Sequence, residues 1–256
     1  TMPCIAIAEV EAVYHGKSAH ASAMPYRGLN ALDAVITAYQ SIAQLRQHIR
    51  NTERIHGIIT DGGLAPNIVP ERAACRFYVR AADAHELAPL KRRVQACFEA
   101  GALATGCRLV VEWGDTDYLD MKTNWPMAEL YEKNATALGR EFFAVRELPP
   151  GYAGSTDMGN VSHRVPSIHP MLGVAPAGVI IHNPEFARYA ASDKGDQAVI
   201  DGAKSLAMTA LDLMADPAAM AEARADFAAT AELSQGALTK SREPLSHTHH
   251  GGCGCV

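Results

Sequence analysis

The sequence predicts an α+β fold in which two helices cover one face of a four-stranded antiparallel sheet. Between residues 5 and 117, segments follow one another in the order strand, helix, strand, strand, helix, strand. One of the strand segments, residues 73–81, alternates apolar and polar side chains, which is typical of a strand with one buried face. Both helical segments carry a single apolar face, so that both can pack against one sheet.

The first strand and the first helix flank a short polar loop. The strand is predicted from an apolar run with polar interruptions: Ile5, Ile7, Val10 and Val13. Gly16 ends this run. Asn30 is a favourable N-cap for a helix over residues 31–49, whose apolar side chains recur at helical spacing.

The remaining elements of the predicted sheet follow in order. A short β-rich strand covers residues 54–60, and the alternating strand covers residues 73–81. Asp83 is the expected N-cap of a second helix, which Gly101 and Gly106 are expected to end. A fourth strand is predicted over residues 109–113.

The pattern changes after residue 117. Helices are predicted over residues 124–138 and 194–214, with a polar, alanine-rich helix over 218–231. Short strands are expected at residues 142–145, 165–169 and 171–174, and a β-like run at 179–181 precedes His182. The chain from Ser234 onward is expected to be disordered.

Composition excludes several classes of protein. The 256 residues carry a net charge of -5 and no basic stripe, so a nucleic-acid partner is not expected. We expect no membrane partner, because no apolar run reaches the ~18 residues of a membrane helix, and no secretory signal is present. Four cysteines are scattered singly, which favours reduced thiols and a cytoplasmic location. Thr1 opens almost directly into a strand, which suggests a fragment.

His20 lies in the loop between the first strand and the first helix. Its neighbours in the segment K-S-A-H-A-S are mostly small, which leaves room for a ligand to approach the imidazole. Functional side chains concentrate in loops that are held by rigid elements. His20 is therefore a candidate functional residue, and a loop histidine without a role is the alternative.

A second candidate group lies in the other part of the chain. His182 follows an apolar run and precedes a proline and an acid, a setting suited to a metal ligand. The segment Ser155, Thr156 and Asp157 could supply a further ligand or bind a carboxylate through backbone N–H groups, and a structural turn is equally consistent with its composition.

Two weaker signals remain. Histidine and cysteine residues crowd the end of the chain and could bind metal, although a disordered tail that binds metal adventitiously is favoured: His247, His249, His250, Cys253 and Cys255. Ser155, His182 and Asp157 could imitate a hydrolase triad, but the chain contains no Gly-x-Ser-x-Gly elbow.

Four motifs in a fixed order resemble a known enzyme family. They are G-K-S-A-H-A-S, then P-N-I-V-P with a following F-Y-V-R strand, then G-S-T-D-M-G-N-V-S, then I-H-N-P-E-F. In this order they resemble the aminoacylase/dipeptidase family of dizinc metallopeptidases (peptidase family M twenty). The order and the residues of these motifs are most similar to those of the branch of aminobenzoyl-glutamate hydrolases and β-alanyl-lysine-type dipeptidases.

The resemblance implies a domain arrangement and a homodimer. Residues 5–117 would be an α+β dimerisation or lid domain, through which two chains pair. Residues 118–215 would be the C-terminal part of an α/β zinc-peptidase catalytic domain. The resemblance ends there, and the sequence pattern predicts a polar helix and a disordered tail over residues 216–256. The substrate would be a small peptide or an N-acyl amino acid.

The resemblance also implies roles for individual residues. His20 matches the lid histidine that donates to the oxyanion, and His182 matches a metal ligand. Asn67 and Arg80 match lid positions that contact substrate, although Arg80 could instead pair with a surface acid. The complete enzyme would use zinc or another divalent metal to activate water.

The chain departs from the family pattern at the metal site. The family's His-x-Asp pair and its adjacent glutamates, one of which is the general base, are not found in this sequence. We therefore expect this chain alone to be inactive and to lack a dizinc pair. Two functions stay open, a fragmentary metal-dependent amide hydrolase and a non-catalytic dimerising or regulatory protein that retains the lid.

Overall fold

The computed structural model of the chain describes residues 3–142, 154–176, 178–179, 181–241 and 245. These residues divide into two compact units. The sheet unit consists of Ile5–Asp120, Ser155–Asp157 and the described part of Gly236–Val256. The helical unit consists of the described parts of Thr1–Cys4, Met121–Gly154 and Met158–Gln235.

Four antiparallel strands form the sheet, as the sequence predicts. They are β1 (Ala6–His15), β2 (Arg54–Asp61), β3 (Arg72–Ala81) and β4 (Arg108–Trp113). Their order across the sheet is β2-β3-β1-β4. In this register Ile7 lies opposite Arg80, and His15 lies opposite Arg72. The two ends of β3 therefore coincide with the two ends of β1.

The helix-facing side of the sheet is built from small and medium residues. In β1 every second residue is buried, and four of these five side chains are alanine or valine: Ala6, Ala8, Val10, Ala12 and Tyr14. Cys75, Phe77 and Val79 of β3 are buried as their alternation predicts. Small side chains on β1 let the helices approach the strand closely.

Helices α1 (Ala31–Leu45) and α2 (Ala84–Thr105) complete the sheet unit. Asn30 caps α1 by accepting the N–H groups of Leu32 and Asp33, and Asp83 caps α2 by accepting the N–H of Glu86. Both predicted caps are confirmed. A short 3-10 helix, Arg46–His48, follows α1 where the sequence predicts continued helix.

Gly101 does not end α2, contrary to the sequence prediction. Its position is set by packing, because a Cβ atom there would lie 2.4 Å from the carbonyl oxygen of Ala34 in α1. The helix ends instead at Gly106, whose φ of 71° is the left-handed conformation that favours glycine.

The helical unit contains α3 (Trp125–Ala137), α4 (Met158–Ser162), α5 (Pro184–Ala190), α6 (Asp193–Ala215) and α7 (Pro217–Ala228). The predicted helices at 124–138, 194–214 and 218–231 correspond to α3, α6 and α7.

The helix α8 (Ala231–Lys240) follows, so the prediction of disorder from Ser234 is wrong for residues 234–240. Ala237 of α8 is buried with Ala84 and Leu119 in an apolar cluster of the sheet unit.

The strands expected after residue 117 are not formed where the structure describes them. Residues 165–169 and 171–174 are irregular, and Val179 and Ile181 lie outside any strand. Pro166 and Pro170 interrupt this stretch, and proline cannot donate a hydrogen bond to a sheet. The expected strand at 142–145 falls almost entirely outside the described residues.

Helix α6 buries small or polar side chains and exposes large apolar ones, which is the reverse of the usual pattern of an amphipathic helix. Its buried positions are small or polar: Gly195, Ala198, Asp201, Ser205 and Thr209. Asn134 of α3 donates to Thr209 Oγ1 at 3.2 Å and to Asp212 Oδ2 at 2.8 Å. Large apolar side chains of α6 are exposed instead: Val199, Ile200, Leu206, Leu211 and Met214.

None of the helices that the structure describes is long and apolar enough to span a membrane.

Candidate functional site

Two loops of the sheet unit meet just beyond one end of the sheet. We call residues 17–24 and 65–70 the loop pair. The N–H of Ala21 donates to the carbonyl of Asn67 at 3.0 Å, and the N–H of Val69 donates to the carbonyl of Ala19 at 2.9 Å. These bonds place His20 directly opposite Ile68. The loop pair is thus held by backbone hydrogen bonds, which give a rigid support to the side chains it carries.

The imidazole of His20 is oriented by its own loop. Its Nδ1 atom accepts the backbone N–H groups of Ser22 and Ala23, each at 3.3 Å. An acceptor Nδ1 requires that the neutral ring carry its proton on Nε2. The side chain is exposed, so the Nε2–H group is available to a ligand. The ring both caps the loop and presents a hydrogen-bond donor.

Asn67 lies beside His20 in the loop pair. Its backbone carbonyl is used to join the loops, whereas its side chain is exposed. The structure therefore brings together two of the residues that the sequence singles out, His20 and Asn67. A donor N–H and a carboxamide at one edge can together hydrogen-bond a small polar ligand.

A second group of polar residues surrounds Arg80 on β3. We call Arg80, His56, Ser155 and Tyr78 the arginine cluster. Arg80 Nε donates to His56 Nε2 at 3.2 Å, and Arg80 Nη1 donates to Ser155 Oγ at 3.1 Å. The Ser155 hydroxyl donates in turn to the carbonyl of Ile5 at 2.7 Å. Two predicted site residues that are 75 positions apart, Arg80 and Ser155, therefore contact each other.

The electrostatic setting of the arginine cluster is unusual for a surface arginine. Among the residues described, no acid lies within ion-pair distance of Arg80, so the surface pair that the sequence left open is not formed. Burial lowers the pKa of Arg80. Burial, followed by the positive charges of Arg80 and Arg46, also lowers the pKa of His56. The cluster thus contains a half-buried guanidinium that is held by neutral acceptors.

The other two residues of the predicted segment contribute less. Thr156 Oγ1 contacts Asp157 Oδ1 at 3.4 Å, and the Asp157 side chain is exposed. The triad hypothesis gains no support from Ser155, because its hydroxyl proton is directed at the carbonyl of Ile5 rather than at a base.

The loop pair and the arginine cluster lie at opposite ends of the sheet. His15, which precedes the loop pair, lies opposite Arg72, the first residue of β3, whereas Arg80 lies one residue before the other end of β3. Eight residues of extended chain separate these positions, a distance of about 26 Å. A dipeptide-sized ligand therefore cannot contact His20 and Arg80 of one chain at once.

His182 lies in the helical unit just before α5. It is exposed and adopts a φ of 65°, the left-handed conformation that is uncommon for a residue other than glycine. The adjacent Asn183 caps α5 by accepting the N–H of Phe186 at 2.8 Å. The predicted strand before His182 is not formed at the described positions, so the backbone turn rather than a strand sets its position.

The donor set of the described residues does not fit a dizinc centre. No group of three or more His, Cys, Asp or Glu side chains that could hold a metal ion occurs in the described ranges. The role of His182 as a metal ligand therefore stays a prediction. The histidine and cysteine residues after position 245 lie outside the described residues. Cys4, Cys75, Cys97 and Cys107 form no disulfide in the part of the chain that the structure describes.

His56 and Tyr78 are the members of the arginine cluster that sequence reasoning missed. His56 lies opposite Tyr78 across β2 and β3, and their rings contact edge to face at 5.8 Å between centroids. Both belong to recognisable strands, but the pairing register decides which side chains meet. A sequence pattern of period two predicts the face of a strand and not its partner.

Comparison with known proteins identifies relatives of both parts of the chain. Residues 6–105 match the sequence profile of the peptidase dimerisation domain. The Xaa-Arg dipeptidase of Mus musculus is 39% identical over 226 residues, which are 88% of this chain and 52% of that protein. One of the p-aminobenzoyl-glutamate hydrolase subunits of Escherichia coli is 34% identical over 93 residues, which are 36% of this chain and 19% of that protein.

Solved structures share the fold at lower identity. An aminohydrolase from methicillin resistant Staphylococcus aureus superposes with a TM-score of 0.60 at 17% identity, over 83% of this chain and 53% of that one. The chain spans about half the length of the curated Xaa-Arg dipeptidases that it matches.

Proposed function

We propose that this chain, which belongs to peptidase family M twenty of peptidases and amidohydrolases, works as the lid-bearing part of a metal-dependent hydrolase. Its substrates would be dipeptides or N-acyl amino acids. The observation that carries this proposal is the orientation of the exposed His20 ring, whose Nδ1 accepts two backbone N–H groups and so leaves the proton on Nε2. Family membership implies a divalent metal, and we take it to be zinc.

Residues 5–117 serve as the lid in this proposal, and residues 118–215 serve as the C-terminal part of the catalytic domain. The outer face of α6 supports an incomplete catalytic part. Val199, Leu211 and Met214 expose 70%, 63% and 80% of their surface. Such a face needs a cover in a folded enzyme. We assign the cover to the part of the fold that the longer relatives carry and this chain does not.

The proposed chemistry of this chain centres on the scissile amide. His20 donates its Nε2–H to the carbonyl oxygen as negative charge develops there, and Asn67 hydrogen-bonds the substrate beside it. A preorganised donor of this kind contributes about 3 kcal/mol to transition-state stabilisation. Arg80, which lies at the end of the lid's sheet opposite to the loop pair, also binds the substrate. The general base and most metal ligands would come from residues beyond this chain.

The separation of the two groups supports an active site shared between subunits. His20 and Arg80 of one chain are too far apart to contact one small substrate. A homodimer solves this problem if His20 acts on the substrate held by its partner. Symmetric dimers place such a loop at both sites at once.

Strand β2 is the edge at which we place this dimer. It is an outer strand of the sheet as described, and it exposes three consecutive residues, Ile58, Ile59 and Thr60. Edge strands of monomers are usually protected by charge or proline, and residues 55–60 contain neither lysine, acid nor proline. The exposed side chain of Ile58, at 64%, is therefore well suited to pair with a second copy.

Antiparallel pairing of two β2 strands brings the required groups together. The Asp61 end of β2 lies toward the loop pair, and Arg54 lies opposite Arg80. A twofold axis reverses the partner's strand, so the loop pair of one chain faces the partner's arginine cluster. Three strand spacings, about 14 Å, then separate the β3 strands of the two chains. Within one chain, the positions of Arg72 and Arg80 at the two ends of β3 lie about 26 Å apart.

A non-catalytic dimerising or regulatory protein is the second candidate. The observation in its favour is that the described residues provide no set of three metal-binding side chains. Reading the coding DNA upstream of Thr1 separates the two functions. An open frame that encodes His-x-Asp and adjacent glutamates supports the hydrolase. A start codon near Met2 without such a frame contradicts it. The cysteines of the described residues, none of which forms a disulfide, support a cytoplasmic location for either protein.

A further inference from the structure

A cavity of about 550 Å³ lies within the sheet unit, on the side of the sheet that carries the helices. It is enclosed between residues 48–53, which follow α1 and precede β2, and residues 85–93 of α2. Sites for small molecules usually have volumes of about 300–1,000 Å³. The cavity is therefore large enough for a ligand of the size of an amino acid.

Hydrogen bonds fix the wall that residues 48–53 form. The N–H of Arg50 donates to Glu53 Oε2 at 2.7 Å, and the N–H of Glu53 donates to the carbonyl of Arg50 at 3.0 Å. The Arg50 guanidinium pairs with Glu86 of α2. Arg93 Nη2 donates to the carbonyl of His48 at 3.0 Å. The segment is thus attached to α2 at two points, which gives the cavity a defined shape.

Four charged side chains line the cavity, and two of them neutralise each other. These two are Arg50 and Glu86. The other two, Glu53 and Arg93, form no ion pair with any side chain that the structure describes. Glu53 exposes only 6% of its surface, and burial of a carboxylate without a cation costs free energy. One negative and one positive charge of the cavity are therefore left for a ligand.

Both of these groups also have unused hydrogen-bonding capacity. Within the described ranges, Glu53 Oε1 has no hydrogen-bond partner, because the N–H of Arg50 binds Oε2. Arg93 uses only Nη2, so that its Nε and Nη1 hydrogens have no partner there either. A carboxylate only accepts hydrogen bonds and a guanidinium only donates them. A matching ligand therefore needs a charged donor and a charged acceptor.

We propose that the cavity binds a free α-amino acid, whose ammonium group donates to Glu53 and whose carboxylate accepts from Arg93. A divalent cation would leave Arg93 without a partner, and an inorganic anion would leave Glu53 without one. Part of the cavity wall is apolar and suits an apolar side chain such as that of leucine: Ile49, Pro89 and Leu90.

The position of the cavity separates it from the loop pair. Glu53 directly precedes Arg54, the first residue of β2, whereas the loop pair lies toward the Asp61 end of that strand. Dipeptide hydrolysis releases free amino acids, so the cavity would hold a product away from His20. Only this link to hydrolysis rests on the proposed function, because the binding of an amino acid does not require it.

The test measures binding to the full chain by backbone amide NMR at about pH 7, where α-amino groups are mostly charged. The probe is L-leucine. L-leucinamide lacks the negative charge, and N-acetyl-L-leucine lacks the positive charge. We expect leucine to shift the amide resonances of Arg50 and Glu53 saturably. Each derivative should bind about tenfold more weakly, because each loses one charge-assisted hydrogen bond.

Two variants assign the charges to their ligand groups. Glu53→Gln keeps an oxygen that can accept from the N–H of Arg50, so the turn is retained. It should weaken leucine and leucinamide about tenfold and leave N-acetylleucine unchanged. Arg93→Met should weaken leucine and N-acetylleucine about tenfold and leave leucinamide unchanged. Arg92→Met is the matched control, because Arg92 is the preceding residue of α2 and does not line the cavity.

Several results would overturn the site. They are the absence of a saturable shift with leucine, equal binding of the three probes, and an effect of Arg92→Met as large as that of Arg93→Met. A variant that weakens all three probes equally would show a structural role alone and would also overturn it. Backbone amide spectra establish that each variant is folded, and the exposed Arg93 can still be tested if Glu53→Gln does not fold. Because hydrolysis is not measured, failure here would leave the proposed hydrolase untouched.

Discussion

At the scale of single residues, the same contacts of His20 cap its loop and support the chemical role that we propose for it. The sequence leaves open whether this histidine merely caps its loop or stabilises an oxyanion. In the structure the capping bonds from Ser22 and Ala23 to Nδ1 place the proton on Nε2. In our proposal the cap orients the donor, so that the two interpretations are compatible; the role of His20 toward an oxyanion stays a prediction.

His56 gives the first prediction at this scale. Burial, Arg80 and Arg46 all disfavour its charged form, so we expect its NMR titration midpoint to fall below the ordinary value of about 6.5. Arg80→Met removes one of these charges and should raise the midpoint. Arg76→Met, on the same strand but paired with Glu9, is the control and should leave it unchanged.

The same pKa shift has a consequence for stability with a definite sign. The unfolded chain binds a proton at His56 more readily than the folded chain does. The contribution of His56 to the free energy of unfolding is therefore complete above about pH 6.5 and falls as the pH is lowered toward its folded pKa. A midpoint at or above that of a model histidine would contradict this account.

Residue identity alone predicts some of these contacts and not others. Asn30 and Asp83 are recognisable as caps, because capping is local and depends on two or three neighbouring positions. The contact between Arg80 and Ser155 joins residues 75 positions apart, and no local pattern contains it.

At the scale of elements, periodicity predicts the sheet unit well, and in the helical unit it predicts three of the helices but not the absence of strands. All four strands of the sheet and both of its helices are confirmed, because each element packs on a neighbour in the same sheet unit. The short strands expected near residues 165–174 are wrong, since two prolines interrupt them and no described strand pairs with them. Helix α6 was predicted, but its reversed amphipathicity was not.

The edge strand β2 carries the prediction at this scale. Ile58→Lys places a charge on the exposed edge, and we expect it to weaken self-association by about tenfold or more in sedimentation equilibrium. Leu103→Lys is the matched control, because Leu103 is 86% exposed on α2, away from β2. An unchanged chain that is monomeric, or an equal effect of both substitutions, would exclude β2 as the dimer contact.

At the scale of the whole molecule, the sheet unit should fold by itself. The sequence suggests a boundary at residue 117, but Tyr118 exchanges two backbone hydrogen bonds with Ile7, and Leu119 is fully buried. We therefore expect residues 5–120 to unfold cooperatively with heat, as ordinary domains of this size do. Residues 5–117 are the comparison and should be less stable. A segment 5–120 without a cooperative transition, followed by circular dichroism, would contradict an independent lid.

The central claim is that His20 acts in the active site of a partner subunit. The most direct test mixes two variants of the full-length hydrolase that we propose. One variant carries His20→Ala and the other His182→Ala, so that one lacks the proposed oxyanion donor and the other a proposed metal ligand. Each parent should be nearly inactive, with a kcat loss of about 10²–10³ for His20→Ala.

If His20 acts across the dimer, each mixed dimer contains one site with neither lesion. An equal mixture that exchanges subunits freely should then recover about a quarter of the unmutated activity, since half of the dimers are mixed and each has one working site. If His20 acts within its own chain, every site carries a lesion. Mixed dimers that form, as native mass spectrometry can establish, but recover no activity would contradict the claim.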